Sequence, residues 1–119
     1  MSESIVKTKS FELAIRGVNF YKYLVAEKKE YIMSKQFLRS VTSVGANVRE
    51  AVNAQSKPDF IHKLSIAQKE YDESLYWLEL LKETNYISEL EFESIYQQNN
   101  EVLKIIRSII ITSKKTHNS

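Results

Sequence analysis

The sequence has very few of the residues that interrupt secondary structure or cross-link a chain. Its 119 residues include no cysteine, one proline and two glycines. Without cysteine there is no disulfide framework and no thiolate metal site, which fits a reducing compartment. Proteins built from β-sheets need glycine, proline, Asn-Gly or Asp-Gly at their turns, and this chain can supply few of them. So few breaks in a chain of this length predict a small number of long helices.

Two further absences concern location. No apolar run approaches the ~20 residues that a helix needs to span a bilayer. The N-terminus, Met1-Ser2-Glu3-Ser4-Ile5, lacks the basic and then apolar pattern of a signal peptide. Hydrophobic residues make up 43% of the chain and charged residues 27%, which is ordinary for a globular protein. The sequence therefore predicts a cytoplasmic protein with a single domain over residues 1–119 and no contact with a membrane.

Apolar residues recur at steps of three and four along four segments, which is the spacing of a buried stripe on a helix. Ser34 is the expected cap of the second helix, while Ser88 and Glu91 form a capping-box pattern before the fourth. Short connections make neighbouring helices antiparallel. We therefore predict an all-α protein, an up-and-down antiparallel four-helix bundle. The predicted helices cover about residues 4–28, 34–54, 57–84 and 88–113.

The first helix carries one apolar stripe at helical spacing. The apolar stripe that we predict to face the core consists of Phe11, Ala14, Ile15, Val18, Tyr21 and Val25. Gly17 lies beside it and is expected to be exposed, where it weakens the helix by roughly 1 kcal/mol relative to alanine. At the other end of the chain, the polar tail from about Ser113 is expected to fray.

Charge is distributed unevenly along the chain. Residues 70–101 hold nine carboxylates against Lys82 alone, whereas residues 102–119 hold four cations and no carboxylate. In an up-and-down bundle the start of helix one, the end of two, the start of three and the end of four meet. This predicts a basic end that can bind phosphates, unless the charges are merely solvated. Its members are Lys7, Lys9, Arg49, Lys57, Lys63, Arg107, Lys114 and Lys115.

No group of residues has the spacing of a catalytic or metal site. His62 and His117 are the only histidines, and neither belongs to the Glu-x-x-His pattern of di-iron bundles. The chain also lacks a phosphate-binding glycine loop, a nucleophile elbow and zinc-ligand spacing. Glu70 and Glu73 can share a helix face, but such carboxylates are more often solvated or ion-paired. We therefore expect no enzymatic activity, no cofactor, no metal and no small-molecule substrate.

A polar row on the second helix has a different character. The row recurs at steps of three or four and consists of Arg39, Ser40, Ser43, Asn47 and Glu50. It is expected either to pack within the bundle against residues such as Glu70 and Glu73 or to line a contact between subunits. A second stripe on the third helix includes Trp77 and Leu80. It is expected either to be covered by other residues of the monomer or to be covered by a partner.

The stretch Arg39-Ser40-Val41-Thr42-Ser43-Val44-Gly45-Ala46-Asn47-Val48-Arg49-Glu50 resembles the large-subunit ribosomal RNA intervening-sequence proteins, a family of small four-helix bundles. The resemblance continues in Asp59-Phe60-Ile61, Lys63-Leu64-Ser65-Ile66-Ala67, Lys69-Glu70 and Tyr76-Trp77-Leu78-Glu79-Leu80-Leu81. One departure is Ala51, where many relatives have glycine. The resemblance implies structural or inter-subunit roles, not catalytic ones, for the matched positions Arg39, Ser43, Asn47, Glu50, Lys63 and Glu70.

The same resemblance implies a ring-like homopentamer without enzymatic activity, with RNA or DNA as a partner. Together with the predicted basic end, this favours a homo-oligomeric bundle that contacts nucleic-acid phosphates non-specifically. Sequence-specific recognition is not expected, because no stacking aromatic is clearly interleaved among the basic residues. The alternative is a protein scaffold or accessory subunit whose basic residues have no nucleic-acid partner.

Overall fold

A computed structural model describes residues 2–118, and within them the chain forms four helices and no strand. The helices are α1 (Ser2–Lys28), α2 (Met33–Val52), α3 (Lys57–Glu83) and α4 (Glu89–Asn118). Each helix packs against the next, and α4 packs against α1, which closes a bundle of 50 × 21 × 20 Å. The predicted all-α fold of four helices is therefore confirmed.

The largest difference from the predicted boundaries lies at the end of α4. This helix continues to Asn118, five residues beyond the predicted end at 113. Ser113 is itself buried and continues the apolar stripe of Ile106, Ile109 and Ile110, so packing reaches the predicted end, and residues 114–116 beyond it are exposed. Lysines at positions 114 and 115 also lie near the negative end of the helix dipole, where cations are stabilising.

The core is built from one stripe on each helix. On α2, α3 and α4 the buried residues recur at steps of three and four, as the sequence predicts for helical stripes; Val44, Leu78 and Ile106 are examples. The buried apolar set from these three helices is Phe37, Val41, Val44, Val48, Ala51, Leu64, Ala67, Tyr71, Leu78, Leu81, Phe92, Ile95, Val102, Leu103, Ile106, Ile109 and Ile110. Burial of apolar surface on this scale is the main stabilising term of a fold without metals or disulfides.

The prediction for α1 was wrong, because the helix turns a different face to the core. Phe11 is 51% exposed and Ile15 is 48% exposed. The residues that α1 buries are Val6, Ser10, Leu13, Gly17 and Leu24. Both stripes have the spacing of a helical face, so periodicity alone could not separate them.

The contact between α1 and α2 explains which face is chosen. A Cβ atom on Gly17 would lie 2.4 Å from Cγ1 of Val41, so glycine is needed where the two helices touch. A Cβ atom on Gly45 of α2 would lie 3.2 Å from the backbone oxygen of Ser10, which is a second tight approach between the two helices. Gly17 is therefore a buried packing residue and not the exposed glycine that the sequence suggested.

The connections at the far end from the termini use left-handed residues to end the preceding helix. Lys29 follows α1 with a φ of 55°, and Asn85 follows α3 with a φ of 69°. The N–H of Glu30 then donates to the oxygen of Leu24 (3.1 Å), and that of Tyr86 donates to Leu81 (3.0 Å). These are the hydrogen bonds of a helix C-terminal cap, in which a left-handed residue reverses the chain.

The N-terminus of α2 is capped by Glu30 and not by the predicted Ser34. The Glu30 carboxylate is 6% exposed and accepts hydrogen bonds from the N–H groups of Ile32 (3.1 Å), Met33 (3.1 Å) and Ser34 (2.6 Å). The Ser34 hydroxyl instead donates to the Glu30 backbone oxygen (2.8 Å). Burial by itself raises the pKa of Glu30, but the backbone and hydroxyl donors outweigh it and the net pKa is lowered.

The joint between α1 and α4 differs from the other three. The Arg16 guanidinium reaches across it and donates to Gln98 Oε1 (3.1 Å) and to Ser94 Oγ (2.6 Å). Lys9 Nζ lies 2.9 Å from a carboxylate oxygen of Glu101 in the same joint. The α1–α4 seam, defined by these five residues, is thus bridged by long polar side chains, and these two helices share the least extensive contact.

Substitution of Gly17 tests the close approach of α1 and α2. We expect Gly17→Ala to lower the free energy of unfolding by about 1–3 kcal/mol, because buried Val41 has little rotamer freedom in a helix. At an open helical position the same change would raise stability by about 1 kcal/mol. Urea unfolding measures the sign, and Val41→Ala added to Gly17→Ala should recover part of the loss. A more stable Gly17→Ala protein would contradict the tight contact.

Glu30→Gln tests the carboxylate cap. We expect it to lower the free energy of unfolding by about 1–2 kcal/mol at neutral pH, since charge-assisted hydrogen bonds to α2 are weakened. Because the folded pKa of Glu30 is lowered from 4.5, its contribution is present above that value and is lost as pH falls through the folded pKa. The difference from wild type should shrink in acid. Exposed Glu27, changed to glutamine, serves as the control.

Candidate functional site

The four helix ends that the topology predicted to meet do lie together. An open groove of about 720 Å³ is lined by residues from the start of α1, the end of α2, the start of α3 and the end of α4. Its walls are Glu3, Ala51, Val52, Ala54, Gln55, Ser56, Lys57, Phe60, Ser108, Ile109, Thr112 and Ser113. Of the eight predicted phosphate-binding cations, Lys57 is the one that lines this groove.

Three of the predicted cations are engaged by neighbouring side chains. Lys9 is paired with Glu101, and this hydrogen bond raises the pKa of Lys9. Lys63 Nζ lies 3.3 Å from Glu50 Oε1. The Arg49 guanidinium lies over the ring of Phe11, with Cζ 5.2 Å from the ring centre. Fewer cations of the basic end are therefore free to bind phosphates than the sequence predicted.

A separate group of cations lies along the outer face of α4. Lys104, Arg107, Lys114 and Lys115 are all exposed, and no salt bridge to any of them occurs among the side chains described, those of residues 3–116. Their spacing confines them to an arc of about 100° that runs about 17 Å along the helix. We call these four residues the basic ridge. Lys104 was missed by the sequence reasoning, although its position three residues before Arg107 was a usable signal.

The polar row is divided between two environments. Ser40 faces the core, and its hydroxyl donates to the backbone oxygens of Gln36 and Phe37. Arg39 lies on the outer α2–α3 face, where Nη1 is 3.5 Å from Glu70 Oε2 and Nη2 contacts Glu73. Ser40 thus packs within the bundle, and Arg39 packs against the carboxylates Glu70 and Glu73 that the sequence proposed for the row.

The remaining residues of the row make local contacts. Asn47 donates from Nδ2 to the backbone oxygen of Ser43 within α2 (2.9 Å), and Glu50 pairs with Lys63. None of these groups is arranged as an acid, base and nucleophile around a common point. Their geometry fits a surface of α2 and α3 that is organised by hydrogen bonds within the protomer.

Trp77 extends the contacts of Arg39 on the α2–α3 face. Its indole N–H donates to Glu73 Oε1 (3.4 Å), and its ring packs edge-on against Tyr76 at 5.0 Å. We name Arg39, Glu70, Glu73 and Trp77 the Arg39 cluster. The hydrogen bond from Arg39 is the main cause that lowers the pKa of Glu73, so this carboxylate is held ionised. Trp77 is partly buried, whereas Tyr76 is 57% exposed.

The described residues contain neither a metal-binding cluster nor a membrane-spanning helix. Across the described part of the chain, no group of histidine, cysteine, aspartate or glutamate side chains could hold a metal ion. Within the same residues, no helix is long and apolar enough to cross a membrane. His62 is exposed on α3, and the side chain of His117 lies outside those that the structure describes.

Comparison with known proteins adds two similarities. Residues 2–108 match the family model described as 23S rRNA-intervening sequence protein. A crystal structure from Bacteroides thetaiotaomicron, of a protein of unknown function from the S23 ribosomal protein family, is 56% identical in sequence. The match covers 92% of this chain and 98% of that one, with a TM-score of 0.91. No curated protein matches the sequence.

Proposed function

Because the chain belongs to the 23S rRNA-intervening sequence protein family, we propose that it is a non-enzymatic, homo-oligomeric protein that binds RNA or DNA phosphates. The basic ridge on α4 is the observation that carries this proposal. Its four exposed cations have no paired carboxylate among the described side chains, so their charge is available to a polyanion. Phosphate contacts of this kind release counterions and do not depend on base sequence.

The proposed oligomer is the ring-like homopentamer that the family resemblance implies. On the α2–α3 face Tyr76 packs against Trp77, and Trp77 and Arg39 both contact Glu73, so a tyrosine, a tryptophan and an arginine are linked there. These three residue types dominate the energetically important centres of protein interfaces. A ring would repeat the basic ridge in every subunit, and several weak phosphate contacts would then act together through avidity.

A scaffold role is the second candidate, and the α2–α3 face is also the observation that favours it. Its aromatic side chains could bind another protein in place of a second copy, and the basic ridge would then serve solubility alone. The two functions differ in their response to salt, because phosphate contacts weaken steeply as salt concentration rises.

Charge reversal on the ridge tests phosphate contact. We expect a protein with Arg107→Glu, Lys114→Glu and Lys115→Glu to lose retention of a structured RNA at low salt in a gel shift. For each ridge cation that contacts a phosphate, the slope of log K against log salt should decrease by about 1. Lys63 is left unchanged because its ammonium group already contacts Glu50.

The control for this experiment reverses three cations away from the ridge. Lys22→Glu, Lys28→Glu and Lys35→Glu change exposed residues in the opposite half of the bundle and alter the net charge by the same amount. This variant should retain most of the RNA affinity. Equal losses in both variants would indicate an effect of net charge, and wild-type protein that never binds RNA would refute the proposed function.

Light scattering tests the oligomer. The mass in solution should be a multiple of the 13.9 kDa chain, with five copies for the proposed ring. We expect Tyr76→Ala to shift the mass distribution towards smaller species, because the ring is exposed in the protomer and its removal leaves the core intact. Lys69→Ala, an exposed change two helical turns away on the same face of α3, serves as the control. A monomeric wild-type protein would contradict the proposed assembly.

A further inference from the structure

A shallow groove follows the outer side of the contact between α1 and α2. Its volume is about 380 Å³, within the range of pockets that hold small planar molecules. Gly45 is one of its lining residues. The backbone of α1 at Ser10 approaches Gly45 so closely that a larger residue would not fit freely there. The groove is lined by Lys7, Phe11, Ala14, Thr42, Gly45, Ala46, Arg49 and Glu50.

Two planar groups lie at this groove and form a cation–π contact with each other. The Phe11 ring is half exposed, and the Arg49 guanidinium covers it at 5.2 Å. A guanidinium and an aromatic ring both accept a further planar ligand, the first through stacking and the second through its π-face. This is the interleaving of an aromatic with basic residues that the sequence pattern concealed, because Phe11 had been predicted to face the core.

We propose that this groove binds one unpaired base of single-stranded RNA or DNA, stacked on the Phe11–Arg49 pair. Lys7, exposed at the same groove, contacts the adjoining phosphate. The proposal rests on the proposed function and specifies its ligand as a strand with accessible bases. Base stacking on protein side chains tolerates any sequence, since every base has a π-face, and it excludes bases that are paired within a duplex.

The charges around the groove favour a nucleotide over an apolar peptide. Lys7 and Arg49 are both exposed there, whereas the one carboxylate, that of Glu50, is paired with Lys63. An apolar side chain of a partner protein would bury apolar surface in the groove, but it would bring no negative charge to Lys7 or Arg49. A nucleotide offers both a planar base that can stack on the Phe11–Arg49 pair and a phosphate that can bind the cations.

The position of the groove also suits a strand that follows the ridge. Lys7 and Phe11 lie in the first half of α1, and Arg49 lies near the end of α2. In the antiparallel bundle these residues are in the same half of the molecule as the basic ridge on α4. A single strand that passes around this end of the bundle would contact the ridge by its phosphates and the groove by a base.

The test compares a labelled single strand with the duplex of the same sequence by fluorescence anisotropy. We expect the wild-type protein to prefer the single strand. Phe11→Leu keeps apolar volume without a π-system and should weaken single-strand binding about 5- to 30-fold, with little change for the duplex. Arg49→Lys keeps the charge and removes the planar group, so it should reproduce the selective loss. Phe11→Tyr should bind as the wild type does.

Two readouts separate stacking from an effect on structure. A 2-aminopurine base in the strand should be quenched on binding to wild type and not to Phe11→Leu. Circular dichroism should be unchanged, since Phe11 is half exposed. Equal wild-type affinity for single strand and duplex, or undiminished single-strand binding by Phe11→Leu, overturns the groove proposal while the ridge variants still test phosphate contact. A lower oligomer mass for Phe11→Leu also overturns it, because Phe11 would then be a subunit contact.

Discussion

The close packing of α1 on α2 depends on the absence of two side chains. At Gly17 a methyl group would overlap Val41, and at Gly45 it would press on the backbone of Ser10. Because the helices meet there, α1 must turn Leu13 and Leu24 inward and leave Phe11 outside. The buried stripe, the groove on the α1–α2 face and the cation–π pair of Phe11 and Arg49 all follow from the same contact.

This dependence explains how much of the fold could be predicted from sequence. On α2, α3 and α4 one stripe is clearly more apolar than the rest, so helical spacing identifies the core face, as at Val44 and Ile106. On α1 two apolar stripes are interleaved, and the choice between them is made by a neighbouring helix and not by local pattern. The cap of α2 shows the same limit, since Glu30 reaches it only after Lys29 has turned the chain.

The position of the candidate site could be predicted from the sequence, but which of its charges are paired could not. Antiparallel topology alone brings the basic helix ends together. Whether a cation is free, however, depends on the reach of side chains across helices, such as Glu50 towards Lys63. The ridge cations of α4 form no salt bridge among the described side chains, whereas Glu101, one turn before Lys104, pairs with Lys9 of α1. The Arg39 cluster was anticipated in its helices and partly in its carboxylates, but the link from Glu73 to Trp77 needed three-dimensional contacts.

The α1–α4 seam has a consequence for how the bundle moves. Its polar bridges, such as Arg16 to Ser94, can exchange their partners for water at little cost, whereas α2 and α3 share the most extensive contact of any pair. Local opening should therefore start at the seam and rotate the α1–α2 hairpin away from the α3–α4 hairpin about the α2–α3 joint. The bundle then behaves as two stiff hairpins on a common hinge, with its interior reached from one side.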